Sequence, residues 1–129
     1  VLRVSMEEKE FKKINKLYSI TPAIMKNDFG YWKNNISIDE YKNRIKQNLI
    51  KKYNNYMDEN LPEDFEFIKN IKFINKKPIR FMYKEVKVLG DKLELEISDN
   101  KEAQLLAYMS LGTGILELNA RGMGYVNYR

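Results

Sequence analysis

Lys92-Leu93-Glu94-Leu95-Glu96-Ile97-Ser98-Asp99-Asn100-Lys101-Glu102-Ala103 changes its period partway along. Leu93, Leu95 and Ile97 alternate with Lys and Glu, the two-residue repeat of a strand with one buried face. Asp99 or Asn100 then offers a side-chain cap, and Glu102 follows Asp99 at capping-box spacing. Ala103, Leu106, Ala107 and Leu111 supply the apolar side of the helix this starts, and Gly112 is placed to end it. A strand that runs straight into a helix is half of a β-α-β unit, and the remaining elements are arranged around it.

Upstream, Gly90-Asp91 marks a turn, preceded by two runs rich in aromatic and branched residues, Phe65 to Ile74 and Ile79 to Val88, both read as strands. Ser37-Ile38-Asp39-Glu40 is a capping box that opens a longer helix. Ile38, Tyr41, Ile45, Leu49, Tyr53 and Tyr56 form its apolar stripe, and Pro62 lies beyond its end. Leu17 to Met25 reads as a strand in which Pro22 demands an edge or a bulge. Val1 to Val4 is expected to be a short strand, and the capping box Ser5 to Glu8 to start a short helix. Downstream, Ile115 to Leu118 and Gly124 to Tyr128 are short strands. The order strand, helix, strand, strand, helix, strand predicts an α+β, ferredoxin-like (RRM-like) split βαβ sandwich, with an antiparallel sheet and both helices on one face. Residues 1–129 are read as a single such domain.

The chain of 129 residues is 43% hydrophobic and 32% charged, the balance of a globular protein with its own core. It has no cysteine, which excludes disulfides and thiolate metal sites, and no histidine, which removes the commonest general base and metal ligand. Asp and Glu are scattered, so neither a metal nor a cofactor is expected. No apolar run spans a bilayer and no signal peptide opens the chain, which makes a cytoplasmic location the default. An opening on Val1 instead of Met fits a fragment of something longer.

Net charge is +5, but its distribution says more than its sum. Between Lys69 and Lys92 eight basic residues face only Glu85 and Asp91, a local excess of +6. Lys76, Lys77, Arg80, Lys84 and Lys87 fall in this stretch, with Tyr83 among them as a surface on which a base could stack. A solvated Lys-rich face has the same composition, and composition alone leaves both readings open.

Two Gly-x-Gly pairs, Gly112-Thr113-Gly114 and Gly122-Met123-Gly124, flank a segment carrying Asn119 and Arg121. Such a loop, following a helix, can offer backbone amides and the Arg121 guanidinium to phosphate. Its commoner role is a helix stop followed by tight turns.

A helix entering Gly-x-Gly, a polar-basic stretch, Gly-x-Gly and a final hydrophobic strand resembles the glycine-rich terminus of the CRISPR-associated endoribonucleases, the sixth family of Cas proteins. Tyr18-Ser19-Ile20-Thr21-Pro22-Ala23-Ile24 resembles that family's strand with a Ser/Thr-Pro step, and Asn48-Leu49-Ile50-Lys51-Lys52-Tyr53 resembles its Asn-Leu-x-x-Lys-Tyr signature. From about Leu17 onward the motifs follow the family's order, which corresponds to the second half of a typical member. The segment between the glycine pairs is longer than in the usual pattern. The resemblance implies binding of CRISPR repeat RNA, and metal-independent cleavage in which a base activates a 2′-hydroxyl while cations stabilise charge on phosphorus. In many members the histidine base lies in the half this chain does not match, so no residue here inherits that role by motif. The expected RNA contacts are Lys76, Lys77, Arg80, Tyr83, Lys84, Lys87, Gly112, Gly114, Asn119, Arg121, Gly122 and Gly124. Expected partners are precursor CRISPR RNA, the missing N-terminal half or a second copy of the chain in its place, and other Cas proteins. The competing readings are a ferredoxin-like interaction module with no RNA role and a small-molecule regulatory domain of the same topology.

Overall fold

Leu93, Leu95 and Ile97 all turn inward, none more than 2% exposed, while Glu94 and Glu96 face outward. The alternation places this strand at the centre of a sheet that is covered on one face. The structure, a computed structural model, describes residues 13–26 and 30–128. The expected strand at Val1 to Val4 and helix after Ser5 lie outside the described residues.

The described elements are β1 (Lys16–Ser19), β2 (Ala23–Ile24), α1 (Ile38–Met57), β3 (Ile68–Phe73), β4 (Ile79–Tyr83), β5 (Val86–Asp91), β6 (Leu93–Ile97), α2 (Lys101–Thr113) and β7 (Val126–Tyr128). One antiparallel sheet has the order β3-β6-β1-β7, the split βαβ arrangement, with α1 and α2 as its two crossovers. Leu17 lies opposite Leu95, and Leu95 opposite Ile71, so one face carries the core; Lys16, Glu96 and Asn70 share the other. Tyr41, Ile45, Leu49, Ile50 and Tyr53 from α1 and Ala103, Leu106, Ala107 and Met109 from α2 fill the space above. The side chain of Gln104, buried in α2, bonds both the N–H and the carbonyl of Ile14 and ties the start of the described chain to the core.

Both helices start where their caps predict. Ser37 Oγ accepts from the Glu40 amide, and of the two candidates for the second cap Asn100 is the one used, accepting from Ala103 N. The ends of the α1 stripe differ from expectation: Ile38 is 43% and Tyr56 71% exposed, because the sheet beneath is shorter than the helix. Gly112 does not stop α2. The helix runs through it to Thr113, and Gly114 caps it.

Three further corrections share one cause, a second sheet of order β2-β5-β4 beside the first. The run Ile79 to Val88 is not one strand but a hairpin, turning at Lys84 and Glu85, both at positive φ (48° and 65°). That two-residue geometry normally calls for Asn or Gly, so the sequence does not announce it. Gly90-Asp91 is no turn but the end of β5. A Cβ on Gly90 would lie 2.6 Å from the Ala23 carbonyl oxygen, so glycine lets β2 pair there. Leu17 to Met25 divides at Pro22 into β1 and β2, one in each sheet. The expected strand Ile115 to Leu118 is reduced to a single bridge between Glu117 and Ile24. Among the described residues no helix is long and apolar enough to cross a membrane.

Candidate nucleic-acid interface

The glycine-rich segment folds back on itself. Ile115 N donates to Gly124 O at 2.8 Å, which brings Gly114 and Gly124 together, both at positive φ (75° and 76°). A Cβ on Gly124 would sit 2.2 Å from the Ile115 carbonyl oxygen, a distance no side chain tolerates. Asn119 lies across this contact and donates to Ile115 O at 3.1 Å and Met123 O at 2.8 Å.

Two side chains one turn apart on α1 hold the segment from below. Asn48 accepts from Leu116 N at 2.9 Å and donates to Glu117 Oε2 at 3.2 Å. The Lys52 ammonium donates to Gly114 O, Leu116 O and Asn119 Oδ1 at 3.0, 3.1 and 2.7 Å. Burial pushes the Lys52 pKa down to about 8, partly opposed by the Glu117 carboxylate. These bonds keep Leu116 and Leu118 in left-handed conformations (φ 58° and 60°), which non-glycine residues avoid unless held there. The Thr-Pro step closes the knot: Gly124 N donates to Pro22 O at 2.8 Å and Tyr125 N to Thr21 Oγ1 at 3.0 Å. The three sequence motifs therefore meet in space and bond to one another.

This corrects one expectation about the loop's chemistry. The amides of Gly114, Ile115, Leu116 and Glu117, and those of Arg121 through Tyr125, all donate within the chain. They are not held out to a phosphate. What the loop turns outward is the exposed Arg121, carried on a short 3-10 turn, Asn119–Arg121.

The Arg121 guanidinium carbon lies 5.1 Å from the centroid of the Tyr83 ring. The Lys84 and Lys26 ammonium groups lie 5.3 and 5.5 Å from the same centroid. Three cations from three separate parts of the chain thus surround one half-buried aromatic ring, which attracts them through its π-face. A groove of about 530 Å³ runs beside it, bordered by Lys26, Lys84, Lys87, Tyr31, Met25 and Val86. Cations beside an aromatic ring at the edge of a groove are the kind of lining that single-stranded nucleic acid favours.

Of the other candidates Lys87 borders the groove, and the rest lie elsewhere. In the β4–β5 register Arg80, Met82 and Lys87 belong to one face of the hairpin and Ile79, Phe81 and Tyr83 to the other. Lys76 and Lys77 are exposed on the connection before β4, and Gly112 is exposed within α2. Gly122 ends the 3-10 turn at φ 88°. Sequence reasoning missed Lys26, a lone lysine after β2 with no periodic or motif signal. It also placed Asn119 among RNA contacts, although that side chain is engaged with Lys52, Ile115 and Met123.

Residues 5–128 match the family model of CRISPR associated protein Cas6, C-terminal. No curated protein matches the chain. Among solved structures it resembles a Cas6-related gene product from Pyrococcus furiosus, at 20% identity and TM-score 0.64, over 95% of this chain and 50% of that one. It also resembles a CRISPR associated protein Cas6, at 23% identity and TM-score 0.67, over 92% and 49% of the two chains. A third neighbour, described as an RAMP protein binding different RNA substrates, shares 20% identity at TM-score 0.66, over 94% and 50%. The chain spans about half the length of these structures. With its family model matched across nearly the whole sequence, this chain belongs to the CRISPR associated protein Cas6, C-terminal family.

Proposed function

We propose that the chain, a single domain over residues 1–129, binds CRISPR repeat RNA as the C-terminal part of a metal-independent endoribonuclease that processes precursor CRISPR RNA. Its part in that reaction is grip and charge compensation. The observation that carries this reading is the Tyr83 ring with Lys26, Lys84 and Arg121 around it, beside a groove. Arg80 and Lys87 extend the positive surface across the hairpin, with Lys76 and Lys77 at its base. Gly114, Gly122, Gly124 and Asn119 act by shaping the loop that carries Arg121, and Gly112 stands at the helix end leading into it. The general base comes from outside this chain, which has no histidine. The other half of a two-domain protein, a second copy of this chain or another Cas protein in the cytoplasm supplies the opposing surface.

The test is incubation with labelled CRISPR repeat RNA in EDTA, resolved on native and denaturing gels. Retardation without cleavage, at an affinity above that for random RNA and falling steeply with salt, is the expected result. Cleavage at one position would show that lysine or tyrosine replaces histidine here. Equal behaviour toward repeat and random RNA would turn the reading toward an interaction module.

A further inference from the structure

Glu117 is a half-buried acid in the loop that carries Arg121, and its amide and both carboxylate oxygens are engaged. Glu117 N donates to Ile24 O at 3.0 Å, the bridge between the glycine-rich loop and β2. Two residues on, Lys26 N points to the same side, as alternate amides of an extended chain do. It donates at 3.0 Å to Glu117 Oε1 instead of to a second backbone rung. Ile115 O, the carbonyl opposite it in that register, is taken by Asn119 Nδ2 at 3.1 Å. Glu117 Oε2 accepts from Asn48 Nδ2 at 3.2 Å, and Asn48 is itself fixed by Leu116 N at 2.9 Å. One carboxylate therefore joins α1, the loop and the chain leaving β2.

That chain delivers Lys26, an exposed residue whose ammonium lies 5.5 Å from the Tyr83 centroid. Lys84 follows Tyr83 directly, and Arg121 rides on its own 3-10 turn. Lys26 lies beyond the end of β2, so the bond to Glu117 takes over from the strand in holding its backbone. Charge alone gives Glu117 the wrong sign for this place: its field opposes a polyanion, and removing it should tighten RNA binding. As an acceptor it has the opposite sign. Without it the backbone of Lys26 is released, and the ring loses one of its cations.

We propose that Glu117 is a positioning residue for RNA: its carboxylate fixes the Lys26 backbone so that the ammonium stands over Tyr83, while Glu117 itself does not meet the RNA. The inference rests on the RNA-binding reading of the Tyr83 cluster.

The experiment measures the affinity of the whole chain for labelled single-stranded repeat RNA across a range of salt. The variants are Glu117→Ala, Lys26→Ala, the two combined, and Glu117→Gln, each at a temperature where its melting curve shows it folded. Lys26→Ala and Glu117→Ala should each weaken binding about three- to fivefold and lower the salt slope by about 0.7, the share of one single-strand phosphate. The double variant should be weaker than Lys26→Ala by less than about twofold, because the group that Glu117 places is already gone. Glu117→Gln should recover the slope: its oxygen still receives the Lys26 N–H, while Asn48 Nδ2 keeps Leu116 O at 3.4 Å. Where Glu117→Ala does not fold, Glu117→Met keeps the stem and takes its place in the cycle.

Tighter binding by Glu117→Ala would make the residue a plain repulsive charge and overturn the proposal. So would losses that add in the double variant, the behaviour of a residue that only stabilises the fold, or a Gln variant as weak as Ala. If repeat RNA is preferred over random RNA and the losses add, positioning fails and the RNA reading stands. If the wild type treats the two RNAs alike, the repeat-RNA reading fails, and the same cycle on random single strands still decides the role of Glu117.

Discussion

The glycine-rich knot and the β4–β5 hairpin were both candidates for RNA contact, and they are built in opposite ways. In the knot the polar groups face inward: Asn48, Lys52, Asn119 and successive loop amides bond to one another. In the hairpin Arg80, Lys84 and Lys87 are exposed, and the turn between its strands has no glycine. A motif that looks like chemistry in the sequence is here largely a fastening that fixes a loop, while the charges around Tyr83 come from that loop's Arg121 and from Lys26 and Lys84, which belong to no motif. Substitutions in the knot should therefore act on stability first, and substitutions around Tyr83 on affinity alone.

Gly124→Ala tests the first half most severely. Its new Cβ would overlap the Ile115 carbonyl oxygen and take a left-handed φ, and a loss of about 3 kcal/mol or more is expected by urea denaturation. A loss below about 0.5 kcal/mol, the range of a neutral surface change, would mean that the Gly114–Gly124 contact does not fix the loop. At the hairpin end, replacing Lys26, Lys84 and Arg121 together with Ala should leave the melting curve almost unchanged. The same triple variant should weaken repeat RNA by about ten- to a hundredfold and reduce the salt slope by roughly 0.7 for each single-strand phosphate no longer neutralised. An unchanged slope would remove the Tyr83 cluster from the interface. Lys52→Met keeps the aliphatic stem but removes a donor from three oxygens, of which Gly114 O and Leu116 O keep Thr113 Oγ1 and Asn48 Nδ2 while Asn119 Oδ1 loses its donor, with an expected cost of about 1–3 kcal/mol in the same denaturation experiment. Its effect on RNA affinity, measured where the variant is fully folded, should be small.

The same contrast explains what could be read from the sequence. The caps at Ser37 and Asn100 and the alternation of Leu93, Leu95 and Ile97 are local, so they specified helices and the central strand without knowledge of the rest. The second sheet was not legible, because each signal for it is a long-range one. Gly90 resembles a turn residue until β2 is seen packed against it. The Lys84-Glu85 turn takes a geometry its residues do not favour. Trp32 is buried because its indole N–H finds Asp91, which is distant in the chain. The Tyr83 site was half legible: its tyrosine and Lys84 are adjacent in the basic run and Arg121 sits in the glycine loop, but only the fold brings Lys26 beside them.

The smallest expected effect concerns the one shifted cation in the knot. With Lys52 at about 8 in the folded chain and 10.5 in the open chain, both states hold the proton below pH 8, and the ammonium's desolvation then weighs fully against folding. Between pH 8 and 10.5 the folded chain releases a proton that the unfolded chain still binds, so stability should rise with pH across that window. Lys52 is only half-buried, and solvent screening limits the gain to about 1 kcal/mol. Urea midpoints at pH 7.5 and 10 for the wild type and Lys52→Met isolate the effect, because the two chains differ at this residue alone. A wild-type rise that Lys52→Met lacks would mean burial governs this lysine. Parallel curves would mean that the three oxygens around the ammonium hold its proton as firmly as water does. The knot would then be tied by a full charge up to the ordinary lysine range near 10.5.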